Sequence, residues 1–271
     1  MCGYSYAGWL DMLITWKFKR GQSTFAIQFF EEALATKRLS YAFNSTVRHI
    51  RDINGRVDVT TRDGRQFQAS SVISAMPLNV LDSVTFEPPL SPGKQSAIGI
   101  KHVNQTVKMH AELSNKDLRS WTGITYPHNP LNYAIGDGTT PASNTHIVCF
   151  GSQQNHIDPE VDIAQTQRAV ANLFSPENYG GNHPSPDIER LVFHNWSKDE
   201  FAKGAWFFSP PGLLSNHIDD MRARHGNIIF VSSDWALGWR SFIDGAIEEG
   251  ERAALEVRRE LMELRSDPPK L

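Results

Sequence analysis

The chain has 271 residues, with 27 Lys and Arg against 30 Asp and Glu, a formal net charge of −3, and 40% hydrophobic residues. That length supports one large domain or two small ones, with a core of ordinary size. The balanced charge, with no basic run longer than Lys17–Arg20, gives no case for nucleic acid. No apolar run reaches the roughly 18 residues of a membrane-spanning helix.

Cys2 and Cys149 make no disulfide framework and point to a reducing compartment, where the N-x-[ST] triplets at Asn44, Asn104 and Asn195 carry no sugar. The ten histidines show no metal-ligand spacing. The opening MCGYSYAGWLDMLITWKFKR lacks a basic leader region and a small-residue cleavage site. Its early aromatic and apolar residues read as the inside of something rather than as a natural domain start.

GQSTFAIQFFEEALATKR predicts a helix with Ser23 as N-cap and a broad apolar face. Val57, Val59 and Thr61 alternate with polar residues. Asp63-Gly64 within RDGR then turns the chain into a return strand from Phe67, a hairpin signal. SSVISAMP reads as a short buried strand ending at Pro77, and FEPPLSPGK as a Pro-rich connection. NQTVKMHAEL alternates strictly, with Val107, Met109, Ala111 and Leu113 on one face and Thr106, Lys108, His110 and Glu112 on the other. LNYAIGDGTT and THIVCFGS supply two more strands, with Gly136–Pro141 read as the turn between them. PEVDIAQTQRAVANLF predicts a helix, PDIERLVFHNW a strand, GAWFFSPPGLL a loop and GNIIFVSSD a buried strand. The last helix is expected from about Asp244 to Leu264, with a stripe from Ile243 through Ala246, Ile247, Ala253 and Val257. The class is mixed α and β, with the chain crossing between two parts near 90–100 and 195–205.

The chain contains no H-E-x-x-H, paired C-x-x-C, P-loop or G-x-S-x-G, and no G-x-G-x-x-G follows a strand. NIIFVSSDWALGWRSFIDGAIEEGERAA nevertheless resembles the C-terminal signature of flavin-dependent amine oxidases. GQSTFAIQFFEEAL, NSTVRHI, VISAMPLNVLDSVTFEPPLSP, TVKMHAEL and NWSKDEFAKGAWFFSPPG resemble further segments of that family in the same order. SWTGI, YAIGDGTTPA and KDEFAKGAWFFS are similar to the fungal, peroxisomal monoamine oxidases. The resemblance covers nearly the whole chain but only the family's C-terminal half; the βαβ unit with the phosphate loop is missing from it.

The resemblance implies an α/β (mixed α+β) fold, an incomplete FAD-binding part plus a mixed-sheet substrate domain. FAD-binding remnants would lie at 1–97 and 199–265, the substrate domain at 98–198 and a tail at 266–271. Taken alone, Lys108 reads as a solvent lysine on a half-exposed strand; the resemblance makes it the lysine that reaches flavin N5 through water. Trp206 and Phe242 read alone as core aromatics; by resemblance they form a cage that orients an amine by ring-face attraction and favours its neutral form. Trp196 matches a tryptophan near the flavin ring, or packs at a strand end. Val47, Asp234 and Ile243 match flavin contacts. Ala205 stands where animal monoamine oxidases carry a flavin-linking cysteine, so the implied FAD is non-covalent.

Two functions follow. The first is the substrate-binding half of an FAD-dependent monoamine oxidase: hydride passes from the amine α-carbon to flavin N5, oxygen reoxidises the flavin with release of hydrogen peroxide, and the imine hydrolyses. The second is a cofactor-free, non-redox scaffold that binds or transforms an amine-derived metabolite. Either takes a small amine, not nucleic acid or membrane. Strand edges left by the missing unit predict self-association or a covering partner chain. Pro269-Lys270-Leu271 resembles a degenerate peroxisomal address, so the compartment is peroxisomal or cytoplasmic.

Overall fold

The computed structural model describes residues 16–125, 128–151, 156–175 and 187–266. Cys2, the aromatic opening stretch and the Pro269-Lys270-Leu271 tail lie outside the described residues. The chain divides into two units, 1–46 and 47–271.

In the first unit, α1 spans Gln22–Ala35. Its N-cap is Gly21, at φ 83°, and no side chain caps it; Ser23 lies inside the helix rather than at its start. The Gly21 backbone makes the entry turn, in a conformation that costs glycine little. The apolar face stacks on itself, with Phe25 and Phe29 ring centroids 5.0 Å apart at i, i+4 spacing, and no residue of the helix is buried.

The second unit opens with β1 (Val47–Ile53), β2 (Arg56–Thr61) and β3 (Gln66–Ala69), joined by tight turns. Asn54 and Gly55 sit at φ 55° and 76°, and Gly64 at 87°, as short hairpin turns require. β4 (Val72–Ser74) ends before Pro77, and a 3-10 turn at Leu78–Ser83 leads to β5 (Thr85–Glu87). β5 adds in parallel to β1, giving a four-stranded sheet ordered β3-β2-β1-β5. The Pro-rich connection then becomes α2 (Pro92–Ile100): Ser91 Oγ accepts the Lys94 N–H, and a proline opens the helix. Proline suits a first helical turn, whose N–H groups have no partner within the helix.

β6 (Lys108–Leu113), β7 (Thr122–Ile124), β8 (Leu131–Thr139), β9 (Thr145–Gly151) and, after α3 (Ile163–Leu173), β10 (Ile188–Phe193) form an antiparallel sheet ordered β10-β6-β9-β8-β7. The alternation in β6 is realised: Met109, Ala111 and Leu113 are fully buried, in a core with Leu131, Ile147 and Leu173. Each large apolar side chain so buried contributes about 2 kcal/mol. Gly136–Thr139 is strand, not turn; the turn falls at Thr140–Asn144. A Cβ on Gly136 would lie 2.4 Å from the Leu118 carbonyl oxygen, so this glycine serves close backbone approach across the sheet edge. Cys149 is buried in this core, and burial pushes its thiol up to about 12.

Finally α4 (Leu213–Arg222), a helix not expected from sequence, leads to β11 (Ile228–Phe230), which pairs in parallel with β4, and to α5 (Ile243–Ser266). α4 and β11 share a second core centred on Ile50, Leu78, Phe86, Phe207, Phe230 and Trp235, while α5 packs through Ala253 and Val257 against Ile229 and Val231.

Two adjacent backbone segments, near 101–107 and 203–208, join the two cores. Asn79, almost fully buried, clasps both: its Oδ1 accepts the His102 N–H at 2.9 Å, and its Nδ2 donates to the Lys203 carbonyl at 2.9 Å and the His102 carbonyl at 3.3 Å. His102 is itself buried, and burial lowers its pKa from 6.5 to about 4. Between those values the unfolded chain holds a proton that the folded chain lacks. Stability is therefore full above pH 6.5 and falls as pH drops towards 4. Urea unfolding is expected to lose about 1.4 kcal/mol per pH unit across that window, and His102→Gln is expected to flatten this loss.

Candidate active site

Lys108 opens β6 on the face away from the core around Met109 and Leu131, opposite Phe150 of β9. Its Nζ lies 5.6 Å from the Phe150 ring centroid. Phe150 meets Trp206 edge-on at 5.9 Å and Tyr133 of β8 at 5.7 Å. Beside them is a cavity of about 280 Å³ lined by Pro77, Lys108, Trp196, Gly204, Ala205 and Trp206, with Ala202.

The crossing segments position the tryptophans. Asn104 Nδ2 donates to the Trp206 carbonyl at 2.9 Å, and the Ala205 N–H donates to the Asn104 carbonyl at 3.0 Å. The Trp196 carbonyl accepts the Gly204 N–H at 3.1 Å. A side chain at 204 would meet the His102 ring, since a Cβ there would lie 2.4 Å from Cε1.

A second cavity of about 270 Å³ lies at the C-terminal ends of β4 and β11, beside the first turn of α5, and Pro77 lines both cavities. Asp234, Ser232 and Ala246 contribute to it. Asp234 is buried and accepts the Leu78 N–H at 2.8 Å. Burial raises its carboxyl pKa, opposed by that hydrogen bond and by one from Ser232. The loop before α5 is packed hard on the helix: a Cβ on Gly245 would lie 2.3 Å from the Trp239 carbonyl oxygen. Glu248 accepts the Leu237 and Gly238 N–H groups at 2.9 Å each. Ser241 Oγ donates to the Phe207 carbonyl at 2.6 Å, tying this loop to the segment that carries Trp206.

The fold thus gathers Lys108, Trp196 and Trp206 around one cavity and brings Asp234 to its neighbour. Phe242 and Ile243 stand at the start of α5, partly exposed, and line neither cavity; the Phe242 ring meets Trp239 edge-on at 5.7 Å. Val47 packs against the core around Ile50 and Leu78 and also lines neither. Sequence reasoning missed Phe150, Tyr133 and Pro77. The two aromatics were visible as alternating strand positions, but only the β6–β9–β8 pairing brings them to Lys108.

The second cavity suits the ring end of a flavin. The carboxyl ends of parallel strands and a helix N-terminus present N–H groups and a positive dipole end to an electron-rich ligand. Ser74 Oγ, at the end of β4, is buried without a hydrogen-bond partner among the described residues, an unspent polar group at that strand end.

Residues 8–258 match the family model described as flavin containing amine oxidoreductase. The chain is 25% identical over 249 residues to pseudooxynicotine dehydrogenase of a Pseudomonas species, covering 91% of this chain and 47% of the relative. It is 28% identical over 206 residues to (S)-6-hydroxynicotine oxidase of Paenarthrobacter nicotinovorans, covering 73% and 43%. It therefore spans about half the length of the curated relatives it matches. Wild-type putrescine oxidase bound to putrescine superimposes with a TM-score of 0.74 at 21% identity, over 88% of this chain and 53% of that one. Cyclohexylamine oxidase of Brevibacterium oxydans IH-35A gives 0.74 at 19% identity, over 89% and 53%. These two structures share the mixed α/β fold, and the family's cofactor is FAD. The chain belongs to the flavin-containing amine oxidoreductase family.

Proposed function

We propose that this chain supplies the amine-binding side of an FAD-dependent monoamine oxidase. The observation that carries this reading is the pair of cavities meeting at Pro77, one holding Lys108, Trp196 and Trp206, the other Asp234 and Ala246 of α5. Trp206, backed edge-on by Phe150, offers a ring face to an amine. The aromatic walls exclude water and favour the uncharged amine. Asp234 and the first turn of α5 at Ala246 would hold the flavin ring, with Lys108 on its substrate side. Bound there, FAD would supply the acceptance of hydride from the amine α-carbon. Ala205 brings only a methyl group to the cavity, in keeping with a non-covalent flavin.

Partly exposed Phe208, Leu237 and Phe242 support self-association or a covering partner chain as part of the same proposal. Among the described residues no helix is long and apolar enough to cross a membrane.

The test is the visible spectrum of the purified chain after incubation with FAD and gel filtration, followed by titration with 2-phenylethylamine. Retained flavin bands and amine binding are expected. Trp206→Ala should weaken the amine by about 5- to 30-fold, the worth of a desolvated aromatic contact of 1–2 kcal/mol. A colourless protein that still binds the amine would favour the non-redox scaffold. Loss of both properties would sink both readings.

A further inference from the structure

A third cavity, of about 330 Å³, lies farther along the same face of the sheet, lined by His110, Glu112, Thr140, His146, Arg190 and Val192 among others. His110 is two residues beyond Lys108 on β6, about 7 Å along a strand. Both therefore face the same side.

The polar groups of this cavity form two sets. Glu112 is fully engaged, accepting from Thr140 Oγ1 at 2.7 Å and Asn144 Nδ2 at 3.1 Å and pairing with Arg190 at 2.8 Å. The other set is a chain: Asp137 Oδ2 lies 3.1 Å from His146 Nδ1, and His146 Nε2 lies 2.9 Å from His110 Nδ1. No group of three or more His, Cys, Asp or Glu among the described residues could hold a metal ion, so this is a hydrogen-bond chain and not a metal centre.

Its direction follows from chemistry. An ionised carboxylate only accepts, so His146 Nδ1 carries the hydrogen. In the neutral ring His146 Nε2 is then an acceptor, and His110 Nδ1 must donate to it. His110 Nε2 is left with a lone pair. The one hydrogen bond of His110 among the described residues uses Nδ1, so the lone pair on Nε2 has no donor among those residues. Burial, with the neighbouring His146 and Lys108, also holds this imidazole below its ordinary pKa, with Asp137 opposing. His110 is only part-buried, so an Nε2 acceptor facing the cavity takes its hydrogen from water or from a ligand that brings a donor. The Lys108 ammonium nearby disfavours a second cation, and the apolar Val192, Ala111 and Pro141 accommodate hydrocarbon.

We propose that this cavity is a second recognition point for the amine, taking an uncharged hydroxyl, phenolic or alcoholic, carried about 7 Å or more from the amine nitrogen and donating its hydrogen to His110 Nε2. This rests on the reading of the Lys108–Trp206 cavity as the amine site.

The experiment is calorimetric titration of the purified 271-residue chain with three amines: 2-phenylethylamine, its 4-hydroxy derivative and its 4-methoxy derivative. The methoxy group can accept but not donate. The hydroxy compound is expected to bind about 3- to 10-fold more tightly than the other two, the worth of one neutral hydrogen bond. His110→Phe, which keeps a ring and removes the acceptor, should bring that ratio to about 1. Equal binding of all three amines to the unmodified chain would overturn the subsite and leave the amine site standing. Binding of none would remove the amine site and the subsite together. A ratio that persists in folded His110→Phe would also overturn the assignment to His110. If His110→Phe does not fold, the imidazole ¹⁵N shifts of the unmodified chain decide. His110 Nε2 should read as unprotonated and shift on adding the hydroxy amine but not the methoxy one; a protonated Nε2 overturns the proposal.

Discussion

Glu249→Ala is expected to destabilise the chain by about 3–5 kcal/mol, the cost of removing one partner from a buried ion cluster. Glu249 is fully buried on α5 and is the only carboxylate paired with Arg222 among the described residues. It also accepts from Arg252 at 2.7 Å. Arg222 in turn donates to the Trp235 carbonyl at 3.0 Å, and Arg252 to the Phe230 carbonyl at 2.7 Å. One carboxylate therefore locks α5 to α4, to β11 and to the turn that presents Asp234. Without it two guanidinium groups face a site with no countercharge at its centre. Chemical denaturation measures the loss, and Glu251→Ala, on the exposed face of the same helix, should stay within about 0.5 kcal/mol of the unmodified protein.

Asn79→Leu is expected to cost about 3 kcal/mol or more, because each buried polar group left unsatisfied costs about 1–3 kcal/mol. The substitution keeps the side-chain size but strands the His102 N–H and leaves the Lys203 carbonyl only the 3.5 Å hydrogen bond from Gln105 Nε2. The effect should reach the site, because the same crossing holds Trp206 through Asn104. Amine binding should weaken alongside stability. Loss of stability with unchanged amine affinity would show that Asn104 alone positions Trp206.

Several elements were readable because their signals are local. The alternation from Val107 to Leu113 names a strand buried on one face, since side chains in a strand point to opposite sides by turns. Asp63-Gly64 names a hairpin because few residues tolerate its backbone angles. Other readings failed where a local signal had a non-local cause. Gly136 looked like a turn residue, but it is glycine because the Leu118 and Arg119 backbone lies against it. Ser91-Pro92 looked like a linker, although proline and a capping serine equally open α2. The triplets at Asn104 and Asn195, set aside as glycosylation signals, hold buried residues instead, and Asn104 holds the crossing.

The same division runs through the site. Sequence by itself determined the mixed α/β class and the order of the segments, because motif and periodicity are written along the chain, and family resemblance nominated Lys108, Trp196, Trp206 and Asp234. Only the tertiary structure decided that Lys108, Trp196 and Trp206 line one cavity while Phe242, Ile243 and Val47 do not. It alone decided that Phe150 backs Trp206, and that Asp137, His146 and His110 form one hydrogen-bond chain. Those facts depend on strand register and on two buried asparagines that clasp distant segments. Such contacts join residues many positions apart, and no local pattern specifies them.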